Sequence, residues 1–210
     1  MRLVVVTRVA IRWADRVPSG RWVTDRAEML RRITATTVLA SDACWVWRTC
    51  PERLDQVTEI ASTLHPTPVV VLEDQVTDDR VWPDASRFLT FRLDSDDAYM
   101  PTALRPHSVA PGGVVSFDFG YQLDWHAGTV AARKYPSGPF LAVAHDRRER
   151  MLTTGGDHGK ARHGRRIHHV TEPSWCQVVH GNNLSTSWQN GKPLPPDRAS
   201  AILKEAGIDR

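Results

Sequence analysis

Phe88-Leu89-Thr90-Phe91-Arg92-Leu93-Asp94-Ser95-Asp96-Asp97-Ala98 sets the fold class of this chain. Its first six residues are mostly apolar and rich in aromatic and branched side chains, which predicts a strand buried on both faces. The strand then stops in three carboxylates spread over four positions. Asp-x-Asp at the carboxyl tip of a strand delivers hard oxygen ligands to a sheet edge, chemistry that suits a divalent cation holding phosphates. In an extended segment Asp94 and Asp96 project to one side and can share that cation, while Asp97 points elsewhere, as a cap for a following helix. Like carboxylates this close repel unless a cation or a proton separates them. Arg92 lies on the face of Asp94, ready for a bidentate contact to a diphosphate or for a salt bridge to the aspartates themselves.

Working outward, strands alternate with helices. Leu3 to Val9 is a continuous β-branched run, and Ala43 to Arg48 and Pro68 to Leu72 read as two further strands. Thr24-Asp25 offers an N-cap to a helix carrying Met29, Leu30, Ile33 and Thr37-Val38. Thr49-Pro51-Glu52 combines a capping box with proline in the first turn, ahead of an apolar face of Leu54, Val57, Ile60, Ala61 and Leu64. Glu73 to Ala85 reads as loop. Such alternation implies right-handed crossovers and a mostly parallel, Rossmann-type sheet flanked by helices, with ligands at the carboxyl ends of its strands. After the acidic cluster a short helix is expected toward His107. Beyond Gly113 the signal is strand-like and antiparallel: Val115, Phe117 and Phe119 alternate with Ser116 and Asp118, and Gly128–Lys134 and Phe140–His145 are candidate partners. Trp175 to His180 gives a last strand, and Pro196 to Ala206 a terminal helix.

The 210 residues, 41% apolar and 24% charged, suit one α/β domain with a real core and argue against wholesale disorder. The formal charge of +3 does not by itself call for a polyanionic partner. Cys44, Cys50 and Cys176 have no metal-type spacing and read as free thiols of a reducing compartment. No stretch has the length of a membrane span, and Leu3-Val4-Val5-Val6 is too short for a signal peptide, so a cytoplasmic location is expected. Arg147 to Arg166, dense in Arg and Lys with His158, His163, His168 and His169 in or just after it, lacks periodicity and reads as a mobile surface segment. It is also a candidate lid over phosphates or a nucleic-acid contact. Most of the eight tryptophans are expected in the core, with Trp125 or Trp188 available to stack on a sugar ring.

A second cluster is Trp175-Cys176-Gln177-Val178-Val179-His180-Gly181-Asn182-Asn183-Leu184-Ser185. A strand ending in His-Gly-Asn-Asn brings an imidazole and two amides to another sheet end, and makes His180 a candidate third ligand beside Asp94 and Asp96. With Arg92-Leu93-Asp94-Ser95-Asp96-Asp97-Ala98, Phe119-Gly120-Tyr121 and an opening Thr7-Arg8, this cluster gives the chain a pattern that resembles the rhamnosyltransferase family of GT-A fold glycosyltransferases. The resemblance runs from about Thr7 to Ser187. It implies a nucleotide-sugar-binding half over residues 1–97, an acceptor-side half over 98–190, and a linker and helix over 191–210, in a single domain. The donor, a UDP- or dTDP-sugar, would be bound by Thr7, Arg8, Arg92, Asp94, Ser95, Asp96 and Asn182. Mn²⁺ or Mg²⁺ on Asp94, Asp96 and His180 would neutralise the leaving diphosphate. The acceptor would be a glycan, a protein or another hydroxyl compound. If transfer inverts the anomeric centre, a carboxylate base is needed, and Asp118 and Asp124 are the candidates. Two other readings share these residues: a different metal-dependent phosphoryl or nucleotidyl transferase on the same aspartates, and a non-catalytic nucleic-acid-binding protein working through Arg147–Arg166.

Overall fold

The computed structural model describes residues 1–12, 16–34, 42–136, 138–152, 158–180 and 191–208. In chain order the strands are β1 (Arg2–Ala10), β2 (Cys44–Thr49), β3 (Val69–Leu72), β4 (Phe88–Asp94), β5 (Ala98–Tyr99), β6 (Val114–Asp124), β7 (Thr129–Lys134), β8 (Leu141–His145) and β9 (Ile167–Val179). The helices are α1 (Gly20–Met29), α2 (Leu54–Ser62), α3 (His158–Arg162) and α4 (Pro196–Glu205). The fold is mixed α/β, and among the described residues one sheet of nine strands runs β3-β2-β1-β4-β8-β6-β9-β5, with β7 on β6.

The first four strands are parallel, as the alternation of strand and helix predicts. β4 lies between β1 and β8 and is buried from Phe88 to Leu93, which explains its unbroken apolar run. On one face Leu3, Val5, Trp45, Trp47, Phe91 and Leu93 pack with Val23 and Leu30 and with Val57 and Ala61 of α2. On the other, Val4, Val6, Val46, Val71 and Phe88 pack against Met151 and Leu152. An aromatic core continues the first face, with Phe91 stacked 5.8 Å from Phe117, Tyr99 edge-on to both, and Phe140 stacked 4.5 Å from Trp175.

Several expectations are corrected here. The cap of α1 is Ser19, five residues before Thr24, because Ser19 Oγ accepts from Trp22 N and closes the first turn. Its buried face is therefore Val23, Arg26 and Ala27. After the acidic cluster the chain forms β5 rather than a helix, since Ala98 and Tyr99 are drawn into pairing with β9. The second half is not simply antiparallel: β6 pairs β7 and β8 antiparallel, but β9 runs parallel to β6 along most of its length. β9 begins at Ile167, not Trp175, and its opening residues are largely exposed, which hides the alternation. Twice it takes three residues where β6 takes two, around Pro173 and Trp175. There Gly120 is obligatory, because a Cβ would come within 2.3 Å of the Trp175 ring.

Arg147–Arg166 is also not an unstructured segment in its described parts. Arg148–Arg150 form a 3₁₀ turn and α3 follows, with Met151, Leu152 and Ala161 buried. Arg148 donates to the Trp82 and Asp78 carbonyls, and Arg162 to Ser116 Oγ and the Gly138 carbonyl. Among the described residues no helix is long and apolar enough to cross a membrane.

Candidate functional site

The parallel register of β1 and β4 sets Arg8 directly beside Asp94. The guanidinium meets Asp94 Oδ1 through Nε at 3.1 Å and Nη2 at 2.7 Å, and Arg92 Nη2 stands 3.9 Å from the same oxygen. Burial raises the Asp94 carboxyl, but Arg8, Arg92 and Arg26 outweigh it and hold it below the ordinary carboxylate range. The chain then turns, Asp97 N donating to the Asp94 carbonyl, and the strand geometry that would align Asp94 with Asp96 ends there.

Asp96 consequently has a separate set of partners. Its Oδ2 lies 2.5 Å from Arg26 Nη1 and 2.9 Å from His180 Nε2, and those two nitrogens are 3.2 Å apart. All three side chains are nearly buried, and Arg26 rests on the Trp22 ring at 5.0 Å. Asp97 is not a helix cap. It is buried and accepts from Val178 N at 3.0 Å, which ties the crest of β4 to β9. Burial, then Asp96 and Asp94, drives its carboxyl well above the usual range.

Of the three residues expected to hold a cation, Asp96 and His180 are brought together, and Asp94 has other partners. Asp96 and His180 stand at a spacing a cation could use, but the Arg26 guanidinium is already bonded to both. Asp94 faces Arg8 and Arg92 instead. Arginine stands beside two of these carboxylates, Arg8 and Arg92 at Asp94 and Arg26 at Asp96.

Asp118 belongs to a second constellation. Its Oδ1 accepts from Ser116 Oγ at 2.7 Å and its Oδ2 faces His169 Nδ1 at 2.7 Å. Asp118 is 6% exposed, while the His169 side chain is 51% exposed. A carboxylate only accepts, so the hydrogen on this bond is the one carried by His169 Nδ1. Arg162 adds a bond to Ser116 Oγ at 3.2 Å. Burial lowers the Arg162 pKa and Asp118 raises it, while Arg92 is near enough to lower it further.

The two constellations share one face and one height of the sheet. Phe91 and Val115 both pair with Ala142 of β8 and both point into the same core. Three residues further on along each strand, past the end of β8, Asp94 and Asp118 lie on the opposite face of the sheet. Arg8, Arg92 and Arg162 form a cationic shelf along that face.

The other expected site residues are distributed as follows. Thr7 is fully buried and its Oγ1 accepts from Trp45 Nε1 at 2.9 Å, so it is part of the core and not of a binding tip. Ser95 is buried within the β4 turn. Asp124 is not placed as a base: its Oδ1 accepts from His126 N and Ala127 N and closes the β6–β7 hairpin. Asn182, Trp13 and Trp188 lie outside the described residues. Arg26 and His169 were absent from the expected site. Arg26 falls on the Val23-x-x-Arg26-Ala27 stripe once the helix is started at Ser19, a signal present in the sequence. His169 depends on the register of β9 against β6, for which the sequence carries no local signal. No protein-family model and no curated protein matches the chain.

Proposed function

We propose that this chain transfers a glycosyl group from a nucleoside-diphosphate sugar, a UDP- or dTDP-sugar, to a hydroxyl acceptor. The observation that carries the reading is the partly exposed Arg8–Asp94 pair, backed by the buried Arg92, at the carboxyl ends of two adjoining parallel strands. Ligands of such sheets gather there, and guanidinium groups match phosphate oxygens bidentately. In this reading the diphosphate lies on Arg8 and Arg92, and Asp94 keeps the two guanidinium groups aimed before the donor arrives.

The Asp118–His169 pair supports the transfer step. An ionised, buried carboxylate that fixes an imidazole tautomer is an arrangement used for general bases. The acceptor hydroxyl gives its proton to His169 Nε2 while its oxygen bonds to the anomeric carbon. The bond from that carbon to the diphosphate breaks, its electron pair leaving with the phosphate oxygen. Arg8 and Arg92 stabilise the charge that develops there. Asp118, expected as the base itself, becomes the positioning residue, since Ser116 and His169 already occupy its two oxygens.

The test is release of nucleoside diphosphate from a panel of UDP- and dTDP-sugars in the presence of simple sugar and alcohol acceptors. The reading expects release from at least one donor that depends on acceptor and on His169. Stabilisation by bare polyphosphate or nucleic acid equal to that by nucleoside diphosphates, with no turnover, would contradict it.

A further inference from the structure

The GT-A resemblance implies a divalent cation, and two of the three residues expected to hold it, Asp96 and His180, are already bonded to one another and to Arg26. Cis ligands of an octahedral Mn²⁺ or Mg²⁺ at about 2.1 Å from the ion stand roughly 3 Å apart. Asp96 Oδ2 and His180 Nε2 have that separation, at 2.9 Å. Arg26 Nη1 lies 2.5 Å from the first and 3.2 Å from the second, on the open side of the pair. Arg26 is not a loose surface side chain. It is 6% exposed on the inner stripe of α1 between Val23 and Ala27, and its guanidinium covers the Trp22 ring. A divalent cation entering between Asp96 and His180 would have to displace a buried arginine or share a buried space with its charge.

The charge balance points the same way. Arg8 and Arg92 stand beside Asp94, and Arg26 stands beside Asp96, so cationic charge is already supplied at each of these carboxylates by arginine.

We propose that Arg26 occupies the cation position of this crest, so that nucleoside diphosphate is bound and neutralised by arginine without a divalent ion. The proposal rests on the glycosyl-transfer reading for its ligand, but its metal arm stands alone. Two titrations test it. In the first, Mn²⁺ alone is titrated into the wild-type chain and into Arg26→Ala and Asp96→Asn, followed by electron paramagnetic resonance. The wild type takes up no Mn²⁺ at Asp96, whereas Arg26→Ala gains affinity by about tenfold or more as the Asp96–His180 pair is opened. A wild-type Mn²⁺ site that disappears in Asp96→Asn overturns the proposal. In the second, UDP and dTDP are titrated into the wild type in EDTA and in millimolar Mn²⁺, which needs no variant to fold. The affinities agree within about twofold, and a requirement for Mn²⁺ of about tenfold or more overturns the proposal. If neither nucleotide binds in either condition, the glycosyl-transfer reading fails while the Mn²⁺ titration still decides the role of Arg26.

Discussion

Asp94 has a side chain 30% exposed beside an equally exposed Arg8, whereas Asp96, two residues later, is 10% exposed between Arg26 and His180. Both are aspartates paired with arginine at one strand end, and burial divides their work. A half-exposed pair is worth little to stability and can exchange partners with a ligand. A buried pair is costly to break, because removing one member strands the other charge. In the proposed function the Asp94 side of the crest is the one that meets the ligand, while the Asp96 side joins β4, α1 and the end of β9.

The largest effect that would break this comparison is on stability. Asp96→Ala should cost about 3–5 kcal/mol in urea unfolding, because it removes the buried carboxylate that faces the Arg26 charge. Asp94→Ala should cost about 1 kcal/mol or less. Equal losses in the two variants would erase the distinction. Next comes catalysis: His169→Gln should lower turnover about a hundredfold or more with nucleoside-diphosphate affinity unchanged. Asp118→Asn should perturb the pH–rate profile through the same imidazole. A loss of binding in His169→Gln would move that residue from proton transfer to the donor pocket.

The smallest effect concerns Asp97. Its folded-state pKa is raised above the unfolded value of 3.8 by burial, then by Asp96 and Asp94. The folded state therefore holds the proton more tightly, so the associated stability is full below the unfolded pKa and is lost as pH rises through the folded one. Asp97→Asn keeps the oxygen that accepts from Val178 N and removes the titration. The variant and the wild type should melt together at acid pH below that unfolded value, and the variant should melt higher at neutral pH. A neutral-pH melting point below that of the wild type would show that Asp97 works as an anion.

Much of the Arg8–Asp94–Arg92 arrangement is legible in the sequence. The run from Phe88 to Leu93 is apolar because β4 is covered on both faces, and Arg8, Arg92 and Asp94 follow from two parallel strands ending together. What escaped depends on partners far along the chain. Thr7 looks like a strand tip until Trp45, on the neighbouring strand, claims its hydroxyl. Asp94 and Asp96 look like one ligand pair until the turn after Asp94 separates them. Asp118 looks like a lone base until β9, pairing from 51 residues away, brings His169 to its oxygen. Periodicity reveals which face a residue takes, and strand neighbours decide what it meets there.

The central claim is that the Arg8–Asp94–Arg92 crest is a nucleoside-diphosphate site, and calorimetric titration of UDP and dTDP into the wild type and Arg8→Ala tests it most directly. The account predicts saturable binding of at least one nucleotide by the wild type, weakened about tenfold or more in Arg8→Ala, with the variant's melting temperature close to that of the wild type. Binding of neither nucleotide, or equal binding by both proteins, would contradict it.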